Sequence, residues 1–172
     1  INSDKNVSLM VMEEDHIRLQ VIMGGYSLDE AYSKADEIDD ALQETLSFSF
    51  DEELGFLTAC PTNTGTGLRA SVMLHLPGLM MTDNISRIAS SAGKLGIAVR
   101  GFYGEGSQAE ASFYQISNQI TAGESEEDII KRVKNIVDQI INLEKQARES
   151  LLKEQNTAFC EKIYRSYGIL KY

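Results

Sequence analysis

The chain is poor in the residues with which small proteins build covalent or metal-based stability. Its 172 residues include two Cys, two His, two Pro and no Trp. Cys60 and Cys160 lie far apart, and neither histidine stands at ligand spacing to a cysteine, which excludes a disulfide framework and a zinc-finger pattern. No apolar run is long enough to cross a bilayer, and no basic-then-apolar segment opens the chain. We therefore expect a reduced, cytoplasmic, globular protein.

Acidic residues outnumber basic ones, 26 to 16, and the formal net charge is −10. Positions 28 to 53 hold ten acidic residues and a single lysine, so this stretch alone supplies nine of the ten negative charges. Binding to nucleic acid depends on neutralising phosphates, so the composition argues against it. Any anion-binding site is expected outside positions 28 to 53.

The length and the 42% hydrophobic content fit one domain over residues 1 to 172, with a single core. Two amphipathic helices are predicted, each preceded by a capping box. Ser27 with Glu30 precedes apolar positions at helical spacing up to 46, and Ser125 with Asp128 precedes a longer series up to 147. Thr82 or Asp83 is expected to cap a third, shorter helix.

Other segments alternate between apolar and polar residues, which is typical of half-buried strands. Helices inserted singly between such strands predict an α+β domain with a mostly antiparallel sheet flanked by helices. The aromatic-rich end of the chain, 164–172, is also strand-like, and neither terminus reads as a natural one. The strand candidates are 8–11, 16–21, 56–59, 68–76, 97–102 and 111–120.

Three places carry residues suited to chemistry. In the first, three acids at 13–15 precede His16 and Arg18. If a strand extends back to Glu14, its period of two places Glu14 and Arg18 on one side of a sheet. That pairing suits a site for both a cation and an anion, but on spacing alone a solvated acidic turn is the better interpretation.

The second place is the Gly- and Thr-rich loop 60–69, which ends in Arg69, and the third is 100–106, where Arg100 closes a strand before three glycines and Glu105. Glycine-rich loops let backbone N–H groups approach an anion. Neither loop matches a Walker A or a dinucleotide-binding motif. The plainer alternative for 60–69 is a tight connection with a buried Cys60. For 100–106 it is a glycine-rich hairpin.

Taken together, these motifs resemble the ATP:guanido phosphotransferase (phosphagen kinase) family, and within it the bacterial branch that acts on arginine in proteins. Met73 and Gln115 stand where kinases of small guanidines have His and Asp, and this also points to the protein-directed branch. The segments that carry the resemblance are 13–18, 55–72, 100–106, 114–118 and 164–170.

The resemblance implies transfer of a phosphoryl group from ATP to a guanidinium nitrogen, on the open face of a sheet of the glutamine-synthetase type. By the same resemblance, Glu14 and Glu105 would clamp the acceptor, Glu14 as general base, with Cys60 beside it. Mg²⁺ would be held mainly through phosphates and water. The residues implied to contact the nucleotide are Arg18, Arg69 and Arg100 at the phosphates, with Ala70, Ser71, Val72, Met73, Gly101, Phe102, Tyr103, Gly104 and Glu105 around them.

The chain departs from the family pattern at Met12, where an asparagine usually precedes the paired glutamates. The family's arginine-bearing strand that would precede Ile1 and its phosphoarginine-recognising C-terminal part are also not found here. We therefore expect a truncated catalytic domain that folds, binds ATP weakly and turns over poorly.

The resemblance also implies partners: protein substrates with exposed arginines, a zinc-binding activator protein, a heat-shock repressor and a Clp protease, with a homodimer left open and neither nucleic acid nor membrane. Two other functions stay open. One is a kinase for a small free guanidine. The other is a non-catalytic binding module that docks a basic partner on its acidic 28–53 stretch.

Overall fold

The fold, seen in a computed structural model, is α+β, as predicted. The structure describes residues 5–101, 110–154 and 156–171. The described strands are β1 (Val7–Val11), β2 (Ile17–Val21), β3 (Phe50–Asp51), β4 (Gly55–Phe56), β5 (Ser71–His75), β6 (Ile97–Gly101) and β7 (Phe113–Asn118). The described helices are α1 (Leu28–Gln43), α2 (Pro77–Met81), α3 (Ile85–Gly93), α4 (Glu126–Glu154) and α5 (Asn156–Lys171).

The strands form three separate antiparallel sheets: the hairpin β1-β2, the short pair β3-β4, and a three-stranded sheet in the order β5-β7-β6. In the three-stranded sheet, Gln115 of the central strand pairs with Met73 on one side and Arg100 on the other. Because side chains alternate along a strand, these three share one face, and their neighbours face the opposite way. The register therefore separates a polar face from an apolar one.

Helix α4 covers the apolar face of this sheet. Its start was predicted correctly, because the backbone N–H of Asp128 donates to Ser125 Oγ at 3.2 Å and that hydroxyl donates to Asp128 Oδ2 at 2.7 Å. Ile129, Val133 and Val137, at helical spacing, are fully buried against Ile97 and Ile116 of the sheet. This stripe is the centre of the hydrophobic core.

A buried carboxylate joins α4 to α2. Glu144, 5% exposed, accepts hydrogen bonds from the backbone N–H groups of Gly78 and Leu79 at 2.9 and 2.8 Å. Arg148 donates to the same carboxylate at 2.5 Å and neutralises it. Space at Gly78 is tight, since a Cβ there would lie 3.0 Å from the Arg148 side chain. The two helices are thus fixed to each other where β5 ends.

The predicted cap of α1 is not formed. Ser27 occupies the N-cap position, but its hydroxyl donates to the carbonyl oxygen of Gly24 at 3.2 Å instead of capping the helix. Helix α1 has no fully buried residue, so its apolar side is only half covered. The third predicted helix begins after Asn84, beyond the expected caps Thr82 and Asp83.

The strand-like interpretation of 164–172 was wrong, because 164–171 lies in α5. The Lys and Arg residues among its aromatics favour a helix as readily as a strand, so composition alone could not decide. The predicted strand 56–59 is reduced to β4, and 68–76 to β5. None of the helices in the described ranges has the length and hydropathy needed to cross a membrane.

Candidate active site

The open face of the three-stranded sheet gathers several of the residues implied by the resemblance. Arg100, Gln115 and Met73 form one row across it, and Ser71 lies two residues from Met73 on the same strand. Gln115 Nε2 donates to Ser71 Oγ at 3.0 Å, which fixes the amide between the strands. The side chain of Met73 is 46% exposed. This face therefore carries the half-buried Arg100, the hydrogen-bonding groups of Gln115 and Ser71, and the exposed apolar side chain of Met73.

Arg69 is positioned by a residue to which sequence reasoning assigned no role. The side chain of Asn118, 1% exposed, accepts the N–H of Ala70 at 2.8 Å and donates to the carbonyl oxygens of Leu68 at 2.9 Å and Ile120 at 3.0 Å. Asn118 thus fixes the chain on both sides of Arg69, which stays exposed next to β5. An isolated asparagine in a strand pattern gives no local signal of this function.

The loop between β4 and β5 is held by threonines and by two backbone contacts that need glycine. Thr121 Oγ1 donates to the carbonyl oxygen of Thr64 at 2.8 Å, and the backbone N–H of Thr66 donates to the carbonyl oxygen of Thr121 at 3.0 Å. A Cβ at Gly65 would run into the backbone of Thr121, and a Cβ at Gly55 would lie 2.6 Å from the carbonyl oxygen of Gly65. The loop is therefore built by close backbone approach.

One hydrogen bond joins this loop to the acidic turn 12–16. The backbone N–H of Ala59 donates to Asp15 Oδ1 at 2.6 Å, across 44 positions of sequence. Glu14 and Cys60 are the next residues along the chain from this pair. Cys60 is partly exposed, not buried as the plainer interpretation had it, and its Sγ lies 3.0 Å from Thr62 Oγ1. The structure thus brings the two segments that carry Glu14 and Cys60 together.

The acidic turn differs from the strand expected there. Strand β2 begins at Ile17, so Glu14 stands in the turn and does not share a sheet face with Arg18 by alternation. The turn closes with a hydrogen bond from the N–H of Met12 to the carbonyl oxygen of His16 at 3.0 Å. Met12 has a φ of 59°, a left-handed conformation that asparagine and glycine adopt more easily.

The carboxylate that pairs with Arg18 is Glu13, not Glu14, at 2.9 Å. A hydrogen bond from the backbone of Glu14 and the Arg18 guanidinium hold the pKa of Glu13 below its ordinary value. Both side chains are about half exposed, so this pair stabilises the fold little. Arg18 lies in the β1-β2 sheet, which shares no strand with the sheet of Arg100.

Two of the residues implied to contact the nucleotide have side chains that point away from the open face. The side chains of Ala70 and Val72 belong to the core, so only their main-chain atoms remain available to a ligand. Gly101 ends β6 next to Arg100. The remaining candidates, Phe102, Tyr103, Gly104 and Glu105, lie outside the described residues.

Comparison with known proteins identifies the family of the chain. The family described as ATP:guanido phosphotransferase, C-terminal catalytic domain, matches residues 1–147. This chain belongs to that family. The motifs at 13–18, 55–72, 100–106 and 114–118 lie within the matched range, which confirms the resemblance read from them.

Its relatives include proteins named protein-arginine kinase. The one from Caldanaerobacter subterraneus subsp. tengcongensis is 51% identical over 172 residues, which is all of this chain and 51% of the relative. That from Clostridium acetobutylicum is 54% identical over 171 residues, or 99% of this chain and 50% of the relative. The chain thus spans about half the length of the curated relatives it matches.

Solved structures of guanidino kinases share the fold. The substrate-free duplicated taurocyamine kinase from Schistosoma mansoni aligns with a TM-score of 0.76 at 34% identity, covering 88% of this chain and 21% of that one. Lombricine kinase aligns with a TM-score of 0.76 at 29% identity, covering 87% of this chain and 41% of that one. The expected guanidino kinase fold is therefore confirmed.

Proposed function

We propose that this chain is part of the catalytic domain of a kinase that transfers the terminal phosphoryl group of ATP to the guanidinium group of arginine residues in proteins. The observation that carries the proposal is the open face of the β5-β7-β6 sheet. There Arg100 lies in one row with Gln115 and Met73, and the backbone around Arg69, just before the start of β5, is fixed by Asn118.

Phosphoryl transfer needs positioning and charge neutralisation more than covalent help. Arginine suits a triphosphate because its planar guanidinium stays protonated and donates in pairs. Arg69 and Arg100 would contact phosphate oxygens from the sheet, and Arg18 would do so from the neighbouring hairpin. The glycines and threonines of the loop 60–67 leave little side chain between the backbone and a ligand.

The acceptor makes a second demand. A protonated guanidinium, with a pKa above about 12, attacks phosphorus only when a carboxylate aligns it and receives a proton. Glu14 would have this function, since its turn is held against the Cys60 loop by the bond between Ala59 and Asp15. Glu105 would supply a second carboxylate, and Cys60 would lie beside the acceptor.

Mg²⁺ is expected to accompany ATP and to neutralise charge on its phosphates. Within the described ranges, no group of three or more His, Cys, Asp or Glu side chains forms a metal site. By the resemblance, the ion would be held mainly through phosphate oxygens and water.

Arginine in a protein is favoured over a free guanidine by two residues of the open face. Met73 and Gln115 are uncharged, whereas kinases of small guanidines usually carry His and Asp there. The relatives named protein-arginine kinase point the same way. A zinc-binding activator, a heat-shock repressor and a Clp protease remain partners proposed by resemblance alone.

The test uses the longer protein that contains this chain, alongside the chain itself. ATP labelled in its terminal phosphate is supplied with an arginine-rich basic protein or with free arginine, and phosphoarginine is identified by mass spectrometry. We expect phosphoarginine within the polypeptide, with Glu14→Gln and Arg100→Gln each reducing kcat/KM by at least about a hundredfold. Arg87→Gln, at an exposed arginine of α3, is the matched control and should retain activity.

Two results would overturn the proposal. If the longer protein phosphorylates only free arginine, the substrate class is wrong. If it binds a basic protein but never transfers phosphate, even after Met12→Asn, the chain is a binding module. Robust turnover by the 172 residues alone would contradict the weaker expectation that this piece is poorly active.

A further inference from the structure

A second region suited to an anion lies on the α4 side of the sheet, opposite the face of Arg100. It is a groove of about 590 Å³ between the turn after α3 and the first turns of α4. We call it the basic groove. Its lining includes Lys94, Leu95, Ile120, Asp128, Lys131 and Arg132.

Its charge is the reverse of that of the whole chain. Lys94 and Lys131 are both exposed, and neither forms an ion pair with any residue that the structure describes. Arg132 pairs with Glu124 through Nη1 only. The one acid in the groove, Asp128, already accepts the hydroxyl of Ser125 at 2.7 Å. Because that hydroxyl is neutral, Asp128 keeps its charge, and the groove is lined by three cationic side chains and one carboxylate in a chain of net charge −10.

Arg132 adds donors that lack acceptors. Its Nε and Nη2 are buried and have no hydrogen-bond partner among the described residues. Buried donors without acceptors are rare in native proteins, and each one calls for an explanation such as a bound ion. The side chain as a whole is 24% exposed, and it lines the groove.

The groove also has an apolar wall. Leu95 and Ile120 are 54% and 47% exposed, so both present apolar surface to the groove. Gly96 shapes this wall, since a Cβ there would lie 2.9 Å from Ile120 Cδ1. A ligand with both an anionic head and an apolar body would fit better than a bare inorganic ion.

We propose that the basic groove binds a small organic anion. Its phosphate or carboxylate head would contact Lys131 and Arg132, with Lys94 nearby, and its apolar part would lie against Leu95 and Ile120. Phosphate esters and carboxylates share this chemistry, so both are tested. This site is separate from the proposed ATP face and does not depend on it.

The experiment titrates the ¹⁵N-labelled chain with phenyl phosphate, benzoate, inorganic phosphate and benzyl alcohol, and follows the backbone amide signals. Phenyl phosphate or benzoate should move the signals of 94–96 and 128–136, and should bind at least about tenfold more tightly than inorganic phosphate or the neutral alcohol. Binding should weaken as salt is raised. Which of the two aromatic anions binds more tightly identifies the head group.

Variants locate the site. The double variant Lys94→Gln/Lys131→Gln changes only exposed side chains and should weaken binding at least about tenfold. Arg132→Gln should weaken binding as much, provided that the variant keeps the wild-type circular dichroism spectrum. Lys134→Gln, on the same helix but paired with Asp29, should leave binding unchanged. Arg100→Gln should do the same, because the groove is not the ATP face.

Three outcomes would overturn the proposal: equal binding of benzyl alcohol and phenyl phosphate, unchanged affinity in the double lysine variant, or signal changes confined to the open sheet face. Equal affinity for phenyl phosphate and inorganic phosphate would overturn the proposed contact of the ligand with Leu95 and Ile120. None of these outcomes bears on the kinase proposal, which is tested by phosphoarginine formation.

Discussion

The two parts of the chain that carry the candidate site are built differently. Residues 70–151 contain every fully buried residue of the described chain, including the core between α4 and the β5-β7-β6 sheet. Residues 5–69, all of them described, contain none, although they carry Glu14, Arg18 and Cys60. Arg100 thus stands on a packed core, whereas Glu14, Arg18 and Cys60 stand on a thin outer layer without fully buried residues.

This difference shows how the outer layer is held. Without fully buried side chains, residues 5–69 are held to the core by partly buried Leu28, Tyr32 and Leu68. Directed contacts add to this, namely Thr66 with Thr121 and the side chain of Tyr26 on α4. Segments that bury little apolar surface open locally at low free energy. Local opening of residues 5–69 would therefore separate Glu14, Arg18 and Cys60 from Arg100 while the core stays folded.

The largest expected effect compares one side chain from each part. Ile116→Ala removes a fully buried side chain and should lower the free energy of unfolding by about 3 to 4 kcal/mol. Leu19→Ala, at a half-buried position of β2, should cost only about 1 kcal/mol or less. Urea unfolding followed by circular dichroism measures both. Equal costs would show that the outer layer is as firmly packed as the core.

The next largest expected loss of stability is at Asn118, whose side chain joins the two parts of the chain. Asn118→Ala removes three hydrogen bonds and leaves the buried N–H of Ala70 without an acceptor, so we expect a loss of about 2 to 3 kcal/mol. Hydrogen exchange should become faster at 68–70. Gln119→Ala, at the exposed neighbouring residue, should change neither quantity. Unchanged exchange in Asn118→Ala would mean that Arg69 is positioned by something else.

A smaller effect, of opposite sign, is expected in the outer layer. Met12 holds a left-handed φ of 59°, so Met12→Asn or Met12→Gly should raise the free energy of unfolding by about 0.5 to 1 kcal/mol. Met12→Ala retains the strained backbone and serves as the control, with no gain expected. If all three variants behave alike, the loss of the methionine side chain is what matters, and backbone strain is not.

The smallest effect is a pH dependence at the contact between the two parts. Tyr26 donates to the carbonyl oxygen of Lys134 at 3.3 Å, and desolvation, with Asp138 nearby, raises its pKa from 10.0 to about 12. The Tyr26 hydroxyl therefore ionises at a lower pH in the unfolded chain than in the folded one. Its contribution to the free energy of unfolding is complete below pH 10 and is lost as the pH rises toward 12.

Tyr26→Phe should therefore reduce the fall in unfolding free energy between pH 10 and 12, measured by urea unfolding at several pH values. Some fall will remain, because the pKa values of Tyr32 and Tyr114 are also raised, chiefly by desolvation. Identical pH profiles for the variant and the wild type would refute this assignment to Tyr26.

The helices and strands of the packed part were predictable because their signals are local. The period of α4 and its Ser125–Asp128 cap can be read from a dozen neighbouring residues, and so can the alternation in β6 and β7. The same cap pattern at Ser27 failed, since the hydroxyl there bonds to Gly24 instead. A capping motif shows which groups could form the bond. The position of the residues before the helix decides which bond forms.

The candidate site was predictable in its residue types and less so in its contacts. The motifs pointed to Arg69, Arg100, Glu14 and Cys60, and the family was confirmed. They did not identify Asn118 as the residue that fixes Arg69, nor Asp15 as the acid bonded to the Cys60 loop. Among three consecutive acids, no local rule says which one faces a loop 44 positions away.

By itself, the amino-acid order determined the family, the helix and strand periods and the set of charged groups available for chemistry, since each of these depends on neighbouring residues or on a recognisable motif. Only the tertiary structure decided that Glu13 pairs with Arg18, that Ala70 and Val72 turn into the core, and that the groups of the proposed site are divided between a packed sheet and a thin outer layer. The physical reason is that burial and long-range hydrogen bonds depend on how distant segments pack together, and a local pattern carries no record of that packing.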